Sequence, residues 1–184
     1  MSFKVRVILL CSVFGFWLGC ASLFGQATDE PQIKQLAWMV GDWQTVEKSD
    51  KGDLIVHLTA KESENHQAMM FYISTEKDGQ VTPKYNGMYY WDPEQKTFKI
   101  VELDNNGDVA AGTYVQTGNR VVQLVKVVSK NGDFELKSAW EIRPREFHFV
   151  GQYRAAGKAD WVAAVDQTYS RVGIGALKTD QHAH

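Results

Sequence analysis

Cysteine is nearly absent. The 184-residue chain has two, Cys11 and Cys20, and both lie in its first 27 residues. From residue 28 onward there is no thiol. That excludes disulfides, thiolate metal sites and a cysteine nucleophile from the part that folds. An excess of charge of one sign is missing too. Twenty Lys and Arg stand against 22 Asp and Glu, a formal net charge of −2, with no basic stripe to bind nucleic acid. There is no Gly-x-Ser-x-Gly to hold a serine nucleophile. There is no low-complexity tract, linker or fixed-period repeat. What is present is ordinary for a folded domain: 44% hydrophobic and 23% charged residues, too apolar for a disordered chain. The length fits one domain.

Residues 1–27 read as an export signal. Lys4 and Arg6 make a basic start, and Val7 to Gly25 carry no charge. Gly25-Gln26-Ala27 places small residues where signal peptidase reads them, so cleavage is expected after Ala27. Two alternatives stay open. Leu18-Gly19-Cys20 resembles a bacterial lipobox, which would lipidate Cys20. The apolar run is also long enough for an uncleaved anchor. All three readings export the domain to a periplasmic or extracellular site. They limit membrane contact to the signal, the anchor or the lipid. Removing the signal leaves 157 residues with a net charge of −4. That is long enough to bury a core without disulfides. The expected division is signal at 1–27, folded domain at 28–172 and flexible tail at 173–184.

Residues 31–40 read as a short helix. Ile33, Leu36, Ala37 and Val40 share one face, Asp29 can cap the start, and Gly41 follows the end. After Gly41 the period changes to two. Strands are expected near 43–49, 54–61, 67–76, 84–91, 96–103, 108–117, 120–130, 134–143, 146–155 and 161–171. Between them lie turn residues such as Lys77-Asp78-Gly79, Asn105-Asn106-Gly107 and Asn131-Gly132-Asp133. Pro83, Pro93 and Pro144 are expected at edges or turns. Two strands alternate most clearly. Phe134, Leu136, Ser138, Trp140 and Ile142 share a face, as do Phe147, Phe149, Gly151 and Tyr153. One buried and one wet face indicate antiparallel sheet. About ten such strands leave a sandwich or a barrel. Short connections throughout favour an all-β, antiparallel up-and-down β-barrel, since Greek keys need a long crossover.

Three segments carry a family resemblance. Leu36-Ala37-Trp38-Met39-Val40-Gly41-Asp42-Trp43 resembles the opening of lipocalin-like, calycin-type domains, a short helix and then Gly-x-Trp entering the first strand. Gly87-Met88-Tyr89-Tyr90-Trp91-Asp92-Pro93 with Phe98 is similar to a segment of bacterial lipocalin-like domains of the DUF1579 type. Tyr169-Ser170-Arg171 resembles the last calycin strand, whose Arg packs over the first Trp. The resemblance spans about residues 31–172 and implies a barrel, often with an internal cavity. It does not name a ligand. It also implies a structural pair, Trp43 with Arg171, at the junction of first and last strands. A guanidinium over an indole is worth roughly 0.5–2 kcal/mol.

The candidate chemistry is sparse. No two histidines of the folded part have metal-ligand spacing, and no metal site is assigned. The distantly similar nitrobindin group ligates haem through a late histidine. The last strand here has none, and His148 alternates with Phe147 and Phe149, so it is expected to face solvent. No cofactor is assigned. Ser138 reads as a small core residue. Glu102 shares a face with Phe98 and Ile100, and Asp166 with Val162 and Ala164. Either carboxylate could act as acid or base if a cavity raised its pKa. No catalytic residue is assigned. Aromatics are the strongest signal. Tyr72, Tyr89, Trp91, Trp140 and Phe149 are expected to wall a cavity, with Met70 beside Tyr72 and Tyr85 also inward. Arg154 or His148 would supply a polar contact. Lys126, Lys130, Arg143, Arg154 and Lys158 either rim a cavity and attract a carboxylate headgroup or form a solvated face. Eight-stranded barrels are just filled by side chains, so ten strands should leave space. The expected function is binding of a small apolar or amphipathic ligand. A calycin-type isomerase or hydrolase and a packed interaction module are the alternatives.

Overall fold

The computed structural model describes residues 32–173, apart from 49 and 51. The expected signal with Cys20, and the tail beyond 173, lie outside the described residues. The chain forms a short 3-10 helix, Gln32–Met39, and then ten strands. These are β1 (Gly41–Glu47), β2 (Leu54–Glu62), β3 (Ala68–Lys77), β4 (Gln80–Asp92) and β5 (Thr97–Asp104). They continue as β6 (Val109–Thr117), β7 (Arg120–Val128), β8 (Phe134–Ile142), β9 (Glu146–Ala155) and β10 (Val162–Arg171). Each strand pairs antiparallel with its sequence neighbours, and β10 returns to β1, so one sheet closes on itself. This is the up-and-down barrel that the alternation and short turns predict.

Alternation dictates the inner face. On β8, Ser138 and Trp140 are buried while Lys137 and Ala139 are exposed. On β9, Phe147 and Gly151 are buried. The closing seam is short, with only Trp43 opposite Arg171 and Gln44 opposite Ser170.

Four local readings change. The helix is 3-10, and Ile33, Leu36 and Met39 are its buried residues, a period of three. Ala37 and Val40, expected on that face, are exposed. Pro83 lies inside β4, at a bulge opposite Ile73 and Ser74. Pairing of β4 with β5 starts only at Tyr85, so the missing N–H of Pro83 breaks no bond on that side. In β3 the inward residues are Met69, Phe71 and Ile73, the opposite parity to that expected from Met70 and Tyr72. In β10 the register shifts between Ala163 and Val165. An extra residue flips every side chain beyond it. Val165, Gln167 and Tyr169 therefore oppose inward Gly151, Phe149 and Phe147, and Asp166 turns outward.

The 3-10 helix lies at the end where β1 begins and β10 finishes. There Trp38, Trp43, Trp140 and Phe147 meet edge to face or stacked, with ring centroids 5.1–6.4 Å apart. Phe147 also stacks on Tyr169 at 4.8 Å. This aromatic layer closes the base. The other end, bounded by the turns after β1, β3, β5, β7 and β9, stays open.

Candidate functional site

Inside the barrel, above that layer, is a cavity of about 860 Å³ that opens at the far end. Its size lies in the usual range for small-molecule sites, about 300–1,000 Å³. Met39, Phe71, Tyr89, Trp140, Phe147 and Phe149 form the deep wall, and Leu58, Ile73, Leu136 and Val165 continue it. The rim carries Glu47, Lys48, Lys84, Asp104 and Asn106.

A few polar atoms point into this apolar space. The Tyr89 hydroxyl donates to Gln123 Oε1 at 3.1 Å, and Trp140 Nε1 donates to Ser138 Oγ at 3.2 Å. The Tyr169 hydroxyl donates to Gln167 Oε1 at 3.3 Å. Burial pushes the Tyr89 phenol well above its ordinary value and Tyr169 up to about 12, with the charge of Glu47 adding to the latter. These groups are neutral donors at physiological pH.

Glu102 is the acid inside the barrel. It alternates with exposed Leu103 and half-buried Val101, and follows buried Phe98 and Ile100 on the inner face. Its neighbours across the sheet are Gly87 on β4 and Ala110 on β6. Burial raises its pKa to about 7, and the nearby charge of Asp104 adds to the rise. Asp104 itself is held below the ordinary carboxylate range. Desolvation opposes its ionisation, but hydrogen bonds from the Asn106 side chain and from turn N–H groups of Asp108 and Asn106 outweigh it.

The residues expected to form the site divide into three groups. Tyr89, Trp140 and Phe149 line the cavity together. Trp91 is half-buried at the closed base, packed on Phe98 at 5.1 Å, and does not reach the cavity. Tyr72, His148 and Arg154 stand on the outer face. Tyr72 is 45% exposed, with Lys61 over its ring. His148 Nε2 meets Asp166 Oδ1 at 2.7 Å on the outside. Arg154 is tied to Glu135 and sits 4.6 Å from the Trp161 ring, so it offers nothing to the lumen. Lys126, Lys130, Arg143 and Lys158 line no part of the cavity either. Arg143 instead pairs with Glu141 and Glu146.

Trp43 and Arg171 occupy the seam. The guanidinium lies 4.2 Å from the Trp43 ring centre. It donates to the carbonyls of Val40 at 2.7 Å and Trp38 at 2.8 Å, while Trp43 Nε1 donates to the Met39 carbonyl at 2.8 Å. Gly41 makes room for this. Its φ is +121°, and a Cβ there would stand 2.8 Å from Arg171 Nη1. So the Gly-x-Trp spacing has a local physical reason: the glycine lets the arginine reach the helix end.

Gln123 and Gln167 were not singled out by sequence reasoning. Their signal was parity, a glutamine in step with inward Val121 and Val125, or with Tyr169. Among the described residues no three His, Cys, Asp or Glu side chains gather to hold a metal ion. His57 and His148 pair with carboxylates outside the lumen, and His66 sits in a turn. No protein-family model matches the chain, and no curated protein matches it.

Proposed function

We propose that this is an exported, lipocalin-like protein that binds a small, predominantly apolar or amphipathic molecule inside its barrel. The observation that carries the reading is the cavity itself. It is open at one end, floored by aromatic rings and dotted with a few inward polar atoms, the usual make-up of a binding site. Export is supported by the basic start, the uncharged run and Gly25-Gln26-Ala27. Kinship with lipocalin-like domains of the DUF1579 type is supported by the Gly41–Trp43–Arg171 arrangement and the up-and-down closure.

The test is native mass spectrometry of the protein produced with its leader and recovered without denaturant. A stoichiometric extra mass that leaves on denaturation supports the reading. A bare mass that also takes up no apolar probe removes it. The same spectrum reports processing. A chain beginning at Thr28 fits cleavage, a lipid on Cys20 fits the lipobox, and an intact start fits an anchor.

One observation favours a second reading, catalysis. A carboxyl that titrates at about 7 within a pocket suits a general base. A turnover whose pH profile loses one inflection in Glu102→Gln would establish it. Asp166, the other candidate base, also borders the cavity, but its side chain is 75% exposed and its carboxylate pairs with His148.

A further inference from the structure

Glu102 is left without a partner. Neither its side chain nor any donor among the described residues forms a hydrogen bond or ion pair with it. Neither of its oxygens is sealed off, because among the described residues no buried side-chain oxygen lacks a partner. Both therefore remain reachable from the cavity they line. Its two sheet neighbours offer it no polar side chain. Gly87 cannot carry even a methyl, since a Cβ would stand 2.5 Å from Phe71 Cζ and from the Val101 carbonyl. Ala110, on the other side, brings only a methyl. A desolvated, unpaired carboxylate is costly. A ligand that donates to it recovers that cost.

The other charges near Glu102 supply no donor cation within the lumen. From β4 it faces the phenols of Tyr85 and Tyr89, and from its own strand Asp104. From β6 it meets Ala110, whose partner on β7 is Val127, and Gln123 of β7 is neutral and bonded to Tyr89. The other charges that line the cavity are mixed, with Lys48, Lys84 and exposed Lys137 against Glu47, Asp104 and exposed Asp166. The deep wall is apolar. A carboxylate headgroup, as of a fatty acid, would find Glu102 and, among the described residues, no cation but the lysines Lys48, Lys84 and the exposed Lys137. An amine would find an acceptor.

We infer that the cavity selects amphipathic molecules whose polar end donates hydrogen bonds, protonated amines above all, with that end on Glu102 and the apolar body against Trp140 and Phe149. This rests on the binding reading and names the ligand class of that same site. Seating an ammonium ion there ionises Glu102 and forms a charge-assisted pair in a poorly hydrated place.

The experiment is calorimetry on the full chain with three matched probes: octylamine, octanol and octanoate. At about pH 8.5 the amine is expected to bind about tenfold tighter than the alcohol, and octanoate more weakly than both. Octylamine affinity should fall about tenfold by about pH 5.5, as Glu102 takes up a proton, while octanol stays level. Glu102→Gln should bring octylamine down to the affinity of octanol. Octanoate binding as tightly as octylamine overturns the inference, as does an amine preference that survives Glu102→Gln. Octanol binding without amine preference also overturns it and leaves the binding reading standing. Failure of all three probes removes both. If the variant does not fold, the wild-type series and its pH dependence decide alone.

Discussion

The two ends of this barrel are built from the same strands and do opposite things. At the base, rings from several strands meet one another and the helix end. Trp43 is 1% exposed and Phe147 2%, and Arg171 ties the first and last strands to the helix end. At the mouth the same strands diverge around empty space, and Tyr85 and Tyr153 stand about two-fifths exposed. The difference shows where stability is made and where it is given up. Apolar contact is concentrated at the end that closes the sheet. A desolvated acid is tolerated at the end that stays hollow.

The sharpest way to break that contrast is at the base. Trp43→Ala removes a fully buried indole, its bond to the Met39 carbonyl and the platform under Arg171. Large-to-small changes of this kind cost about 3–5 kcal/mol. The guanidinium chloride midpoint should fall accordingly. A loss under about 1 kcal/mol would mean that the seam does not hold the barrel closed. Trp140→Ala belongs in the same class. Trp140 lines the cavity, yet it also contacts Trp38, Phe147, Tyr114 and Phe149. Its replacement should cost folding at least as much as binding. Phe149, half-buried, with Trp140 as its ring neighbour, is the cleaner probe of ligand affinity.

At the mouth the expected change has the opposite sign and depends on pH. In the unfolded chain Glu102 titrates near its ordinary 4.5, and in the folded chain at about 7. Between those values the folded state keeps a proton that the unfolded state has lost. Stability therefore falls as pH rises through that window and is level above it. The loss reaches about 3 kcal/mol when complete. Glu102→Gln has no proton to lose. The variant should match wild type near about pH 4 and exceed it by up to about 3 kcal/mol near about pH 8. Parallel stability curves across that range would mean that water reaches Glu102 freely.

Arg171→Met returns to the base with a smaller effect. It removes the cation over Trp43 and two charge-assisted bonds to carbonyls, but keeps an apolar stem. A loss of about 2 kcal/mol is expected in the same denaturation assay, with octanol binding unchanged once folded protein is compared.

Most of the architecture was legible because its signals are local. Turn residues separate ten alternating runs, and on β8 and β9 charged residues and the large aromatics keep to opposite parities, so the inner face can be read directly. Where both parities are apolar the reading failed. Met69, Phe71 and Ile73 compete with Met70 and Tyr72 along β3, and only packing against β2 and β4 decides. In β10 the run Val162, Ala163, Ala164, Val165 has no polar residue to mark the bulge, so Asp166 was placed on the wrong face. Glu102 was legible as an inward acid from Phe98 and Ile100. Its isolation was not, because that depends on Gly87 and Ala110, which other strands bring beside it.

The outer face offers the smallest effect and the control for both ends. His148 and Asp166 form a pair whose carboxylate is three-quarters exposed, and such pairs contribute about 0–1 kcal/mol. Tyr72 stands on the outside of β3 with the Lys61 ammonium 5.7 Å from its ring centre. His148→Ala and Tyr72→Ala should each shift stability by less than about 0.5 kcal/mol and leave octylamine affinity unchanged. The two substitutions also test the parities that the bulge and the β3 register impose. Were Tyr72 inside, its loss would open a void against Phe71 and cost several times more. Were His148 inside, it would stand beside Trp140 and its replacement would alter the ligand site. A null result for both, beside a large one for Trp43, would show that the wall's outer surface serves neither closure nor recognition.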